Sequence, residues 1–214
     1  MDETKKFDFL WTVQNILHTT SVLSIMVDST MRSIDGMYSW RFSTKDEMKQ
    51  LGGTLLQMQW KLRELMTLAC VKMVDDAFNN INEFRPEKLK LHSPESKQAT
   101  YLQEVDRLRH IANVIKHNNS FIDTKLGNSA MILVNEHGAP NEIELQSFDQ
   151  KYGKELRDDL LRSIFYCHRF CMSLIESLGF FSNKSLFSEP DDIPDYMLRT
   201  FVHSLPGHPN CETH

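Results

Sequence analysis

A mostly α protein, an antiparallel bundle of about four long helices with a small β-hairpin inserted before the last long helix, is the fold class this sequence predicts. Three observations predict it. Apolar residues recur at three- and four-residue steps over long stretches. The breaks between those stretches carry Gly, Pro, Asn and Ser where turns need them. Between Phe121 and Phe148 alone, the period shortens toward that of a strand. At 214 residues the chain can bury about 70% of its unfolded surface around one core. The expected division is a helical bundle over 1–185, containing a hairpin insert at about 129–148, and a C-terminal extension over 186–214.

The first helix is expected from residue 4 to about 36. Phe7, Leu10, Trp11, Val13, Ile16, Leu17, Val22, Leu23, Met26, Val27, Met31 and Ile34 supply its apolar repeat, and Gly36 its end. In the following MYSWRFSTKDE, Ser43 or Thr44 with Asp46 or Glu47 three residues on makes a capping-box start for a second helix. That helix runs to about Asn82 on a broad face that includes Leu55, Leu62, Met66, Met73, Val74, Phe78 and Ile81. Gly52 and Gly53 weaken its start by about 1 kcal/mol each, so a bend or frayed turn is expected there.

FRPEKLKLHS, residues 84–93, reads as a surface crossing. Ser93-Pro94 matches an N-cap followed by Pro at the first helical position, and Asn118-Asn119-Ser120 suits the end of a third helix. SAMILV and NEIELQSF then read as two short strands around the turn NEHGAP. A lone hairpin is marginal in water, so it must lie on the helices or on another subunit. The fourth helix is expected from near Asp149 to Leu178, with Leu156, Leu160, Ile164, Phe165, Cys167, Phe170, Cys171 and Leu174 inward and Gly179 as its stop. A short helix from about Pro194 to His203 precedes a loose tail.

Composition narrows the function classes. Twenty-four basic and 29 acidic side chains leave a formal charge of −5, so a nucleic-acid contact requires a local basic patch. No apolar run reaches the roughly 18–20 residues of a membrane span, and MDETKKFDFLW lacks the features of a secretory signal. The four cysteines include no CxxC pair, which fits a reducing cytoplasm.

The third helix carries the candidate chemistry. Tyr101, Val105, Leu108, Ile111, Ala112 and Ile115 share one side, while Gln103, Asp106, His110, Asn113 and His117 form a polar ridge opposite. Other constellations read as structure. Cys167 and Cys171 fall in the apolar stripe of the fourth helix and pack as small hydrophobes. His203, His208, Cys211 and His214 have zinc-ligand chemistry but no standard spacing. There is no GxSxG elbow, and Gly52-Gly53 lacks the Lys-Ser/Thr of a phosphate loop. Asp75-Asp76, Asp158-Asp159 and Asp191-Asp192 point about 100° apart within each pair and read as solvated faces. Trp11, Trp40 and Trp60 read as core anchors.

The run RHIANVIKHN, with Arg107 and Arg109 before His110, Asn113, Lys116 and His117, resembles the signature of the HEPN superfamily (higher eukaryotes and prokaryotes nucleotide-binding). In that signature one helix of a small bundle carries an Arg, a polar residue directly after it and a His further on. Here Arg109-His110 supplies the pair and His117 the closing His, with seven residues between Arg109 and His117, a longer gap than the family's usual one. The resemblance implies a homodimer paired through the third helices and a composite RNA-cleaving site that uses no metal or other cofactor. It also implies catalytic roles for Arg109 and His117 and supporting or substrate-binding roles for His110, Asn113 and Lys116. The implied setting is toxin-like or defence-related, with RNA as target and a cognate antitoxin or other protein as partner.

The chemistry is coherent with those roles. An imidazole titrates near neutrality and can take a proton from a ribose 2′-hydroxyl, and a guanidinium can balance charge growing on a phosphate. Eight residues of helix place Arg109 and His117 about 12 Å apart along the axis, so both reach one phosphate only if two subunits contribute. The alternative reading is a non-catalytic helical dimerisation module whose polar ridge fixes register. In that reading Lys116 merely complements the helix dipole.

Overall fold

The computed structural model describes residues 3–41, 43–148, 150–179 and 190–204, with side chains from Leu10 onward. Their order is α1 (Glu3–Tyr38), α2 (Lys45–Glu83), α3 (Leu102–His117), β1 (Phe121–Ile122), α4 (Asn128–His137), β2 (Ile143–Glu144), α5 (Leu145–Phe148), α6 (Gly153–Ser177) and α7 (Ile193–Leu198). A π-helical turn, Arg199–His203, continues α7. The helices α1, α2 and α6 pack against one another, and α3 lies on α2 and α6. The fold is therefore mostly helical, with three long helices and a shorter α3 rather than four of similar length.

The capping box forms at Thr44, whose Oγ1 accepts the Glu47 N–H at 3.2 Å while the Glu47 carboxylate accepts the Thr44 N–H at 3.2 Å. Two donors that the first helical turn cannot satisfy internally are thereby paired. α2 runs continuously through Gly52 and Gly53, because packing of its long apolar face outweighs two weak positions near the start. Gly179, at φ +75°, closes α6, and Asp192 caps α7 by accepting the Asp195 N–H, with Pro194 in the first turn.

The main core joins Ile16, Leu23, Val27, Met31 and Ile34 of α1 to the inner faces of α2 and α6, with Phe165, Phe170, Cys167 and Cys171 fully enclosed. Burial raises the Cys167 and Cys171 thiols well above their ordinary range, the neighbouring Cys70 adding to the effect and leading it at Cys167. These thiols stay protonated and inert. The expected stripe on α1 was too wide: Leu10, Trp11, Leu17, Val22 and Met26 are exposed, since a helix against two neighbours can bury only one side. The Phe7 side chain lies outside the described residues. Trp40 is exposed as well, so of the three tryptophans only Trp60 packs against a core, the smaller one described below.

The largest correction concerns the insert. A two-stranded antiparallel sheet is present, but it pairs Phe121 with Glu144 and Ile122 with Ile143. SAMILV is not a strand: it forms α4, which places Ala130 and Leu133 at 0% exposure, one helical turn apart. Gly138, at φ +68°, ends it, and the Ala139 N–H reaches back to the Leu133 carbonyl at 3.0 Å. Together with Val114, Ile122, Ala139 and Leu145, these residues form a second, smaller core.

The crossing from α2 to α3 is packed. Asn82 brackets the Leu89 backbone, donating to its carbonyl at 3.0 Å and accepting its N–H at 2.6 Å, so Leu89 and Leu91 are buried. Residues 96–98 form a single 3₁₀ turn, and α3 starts at Leu102 rather than at Pro94. Tyr101 takes the left-handed conformation at φ +61°. Its ring stacks on Tyr166 with centroids 4.9 Å apart, and the Thr100 N–H donates to Ser173 Oγ at 3.1 Å. These contacts with α6 hold a backbone conformation that is costly for a non-glycine residue.

Candidate functional site

The polar ridge of α3 opens at its centre into a groove of about 990 Å³ between α2, the packed crossing and α3. Asp106, Arg109, His110 and Asn113 form one wall; Lys88, Lys90 and His92 come from the crossing, and Asp75 and Asn79 from α2. Three lysine or arginine side chains and two imidazoles thus face two carboxylates and several amides. This local excess of cationic and hydrogen-bonding groups sits on an acidic chain.

The polar groups of the α3 wall have partners within the same subunit. Arg109 Nη2 lies 3.6 Å from Asp75 Oδ1, both side chains about 40% exposed. Exposed pairs of this kind contribute at most about 1 kcal/mol and are readily exchanged for another anion. Asp106 lies between two imidazoles, with His92 Nε2 at 3.4 Å and His110 Nε2 at 3.6 Å. On the other edge of its ring, His110 Nδ1 is 3.2 Å from Ser129 Oγ, which also accepts from Asn113 Nδ2 at 3.1 Å. Because Asn113 occupies a lone pair of Ser129, the serine hydrogen is available for His110 Nδ1, leaving His110 Nε2–H toward Asp106. Burial lowers the His110 pKa from its ordinary value; Asp106 opposes that shift, and His137, with its ring centroid 6.5 Å away, adds to it.

Local chain geometry explains the arrangement. Arg109 and His110 lie three and four residues after Asp106 and four and three before Asn113, the spacings that bring side chains to one helix face. Ser129 stands in the first turn of α4, so the helix that replaces the expected strand is what covers the ridge.

The five residues singled out by sequence therefore separate. Arg109, His110 and Asn113 share the groove, whereas Lys116 and His117, in the last turn of α3, are exposed and do not line it. Gln103, at the other end of the ridge, is exposed too. Sequence reasoning missed Ser129, His92, Lys88 and Lys90. Only the two lysines had a local signal, their alternation with Leu89 and Leu91. Of the proposed zinc-type set, His203 is described and has a buried Nε2, while His208, Cys211 and His214 lie outside the described residues. Among the described residues no three or more His, Cys, Asp or Glu side chains are placed to hold a metal ion, and no helix is long and apolar enough to cross a membrane.

Comparison with family models, with curated proteins and with solved structures returns no match to this chain.

Proposed function

We propose that this chain is a HEPN-like RNA-binding protein that takes a single-stranded segment in the α3 groove and works as a homodimer through α3. The observation that carries the reading is the convergence of Arg109, His110 and Asn113 with Lys88, Lys90 and His92 on one open groove. Lysine and arginine hold phosphates without reading sequence, and amides and imidazoles can hydrogen-bond to unstacked bases. Arg109 would leave Asp75 for a phosphate, exchanging one solvated ion pair for a stronger charge-assisted contact.

Cleavage adds one step to this proposal. His117 takes the 2′-hydroxyl proton, the 2′-oxygen attacks phosphorus to close a 2′,3′-cyclic phosphate, and Arg109 balances the charge on the phosphate as the P–O5′ bond breaks and the 5′-oxygen takes a proton from water. The 12 Å axial separation estimated for these residues requires His117 of one subunit to act beside Arg109 of another. Incubation of the purified protein with mixed RNA in chelator is the test. Cleavage that His117→Ala and Arg109→Ala each reduce about 100-fold or more, with sedimentation at dimer mass, supports the reading. Binding without cleavage keeps the RNA-binding reading and removes the nuclease. Neither binding nor cleavage by a folded dimer removes both.

One observation favours the second reading, a non-catalytic dimerisation module. The centre of the ridge is already satisfied by Ser129 and by the shared Asp106 contacts, which leaves Gln103 and His117 at its ends to meet a partner.

A further inference from the structure

The other face of α3 borders a second cavity of about 270 Å³, enclosed between α2, α3, α5 and α6. Leu108, Ile111 and Ile115 of α3, with Trp60, Leu145 and Phe148, make its apolar lining. Six charged side chains also line it, and three of them, Arg63, Glu64 and Asp159, are engaged. Arg63 and Asp159 pair at 3.0 Å, with Lys151 on the second Asp159 oxygen. Glu64 is held by Lys61 Nζ at 2.6 Å and by Ser120 Oγ at 2.5 Å. Asp159 is thus a structural bridge, not the freely solvated carboxylate expected from its pair with Asp158.

Arg107 and Arg162 are different. Among the described residues neither guanidinium makes a hydrogen bond or an ion pair; Arg107 lies with its guanidinium carbon 6.0 Å from the centre of the Phe148 ring. An arginine laid beside an aromatic ring keeps its planar N–H donors available for an oxyanion. Glu104 is the one remaining charged group at the cavity; it is exposed, and it too lacks such a partner among the described residues. The unengaged charge is therefore two positive against one negative, beside an apolar interior.

Ligand cavities combine this kind of apolar wall with a few convergent polar groups, and about 270 Å³ is just below their usual lower limit of roughly 300 Å³. A nucleic-acid strand or a folded partner does not enter a space of that size, whereas a short alkyl chain or a single ring does. We propose that this cavity binds a small amphipathic anion, with an apolar body against Ile111, Ile115 and Trp60 and a carboxylate or phosphate between Arg107 and Arg162. The charged head would take up N–H donors of half-buried Arg107 and exposed Arg162, and the body would cover the apolar walls. The site is separate from the RNA-binding groove and stands independently of that reading.

Titration calorimetry of the full chain with octanoate, octyl phosphate and neutral octanol tests the proposal, each ligand kept below its aggregation concentration. At least one anion is expected to bind tenfold or more tighter than octanol, and the preferred head distinguishes carboxylate from phosphate. Arg107→Met and Arg162→Met, which keep the apolar stem, should each weaken the anion about tenfold without changing octanol. Glu104→Gln should tighten the anion two- to threefold. Circular dichroism of each variant verifies folding. Equal binding of octanol and the anions, no binding of any of the three, or unchanged anion affinity in both arginine variants would overturn the proposal.

Discussion

The two faces of α3 carry similar densities of charge and put it to opposite use. On the groove face Asp106, Arg109, His110 and Asn113 are bonded to partners in the same chain. On the cavity face Arg107 stands beside apolar walls with no hydrogen-bonding or ionic partner among the described residues. Polar residues on a helix are therefore not equivalent as ligand sites. A satisfied network must give up existing bonds to receive a ligand, whereas an uncommitted guanidinium gains them outright. Under the two proposals, a long polyanion would offset the groove's lost bonds by many contacts at once, whereas one small ion would suffice at the cavity.

The severest challenge to this contrast is removal of the small core beneath both faces. Leu133→Ala should cost about 2–5 kcal/mol in denaturant unfolding, since Leu133 is fully buried in α4. It should also shift the His110 and Asn113 resonances, because Ser129 is carried on that helix. Unchanged resonances in a destabilised variant would mean that α4 does not organise the groove.

Acid separates the groove imidazole from an imidazole of the main core. His168 of α6 donates from Nδ1 to Thr20 Oγ1 at 3.0 Å, while Thr20 donates to the Ile16 carbonyl at 2.7 Å. Burial, with Arg169 adding, lowers its pKa to about 4 from 6.5. The folded pKa lies below the unfolded one, so its stabilising effect is complete above pH 6.5 and is lost as pH falls toward 4. Linkage puts the loss at roughly 3 kcal/mol, and His168→Gln should flatten that part of the stability profile. His110 is shifted in the same direction but has Asp106 opposing burial. Its titration, followed by NMR, should lie below the ordinary imidazole range, and Asp106→Asn should lower it further. A rise in that variant would show that the carboxylate does not act on the ring.

Smaller effects sharpen the same contrast. Ser129→Ala should cost about 1 kcal/mol, because it unpairs half-buried groups on His110 and Asn113. Arg107→Met should change stability by less than about 0.5 kcal/mol, having no bonded partner to lose. A loss there as large as that of Ser129→Ala would place Arg107 in the structural framework rather than at a ligand site.

Much of the fold was legible because its signals are local. The apolar repeats of α1, α2 and α6, the Thr44–Glu47 capping box, the Gly179 stop and the short helix beginning near Pro194 each depend on signals within a few residues. The insert was less legible. SAMILV has strand-forming side chains, yet Ala130 and Leu133, three residues apart, find a shared core only when the segment winds as a helix. The site was legible in part: periodicity placed Asp106, His110 and Asn113 together, Arg109 came only from the family resemblance, and helix geometry set His117 well beyond Arg109.

By itself the sequence determined a helical protein whose third helix has one apolar and one polar side, because helix periodicity and end-capping depend on neighbours along the chain. Tertiary structure alone decided which polar groups are satisfied and which stay uncommitted. Asn113 and Ser129 lie 16 positions apart, Arg63 and Asp159 96 apart. Such partners meet only when packing of the two cores brings α4 and α6 against the helices that precede them, and no local pattern along the chain encodes those distances.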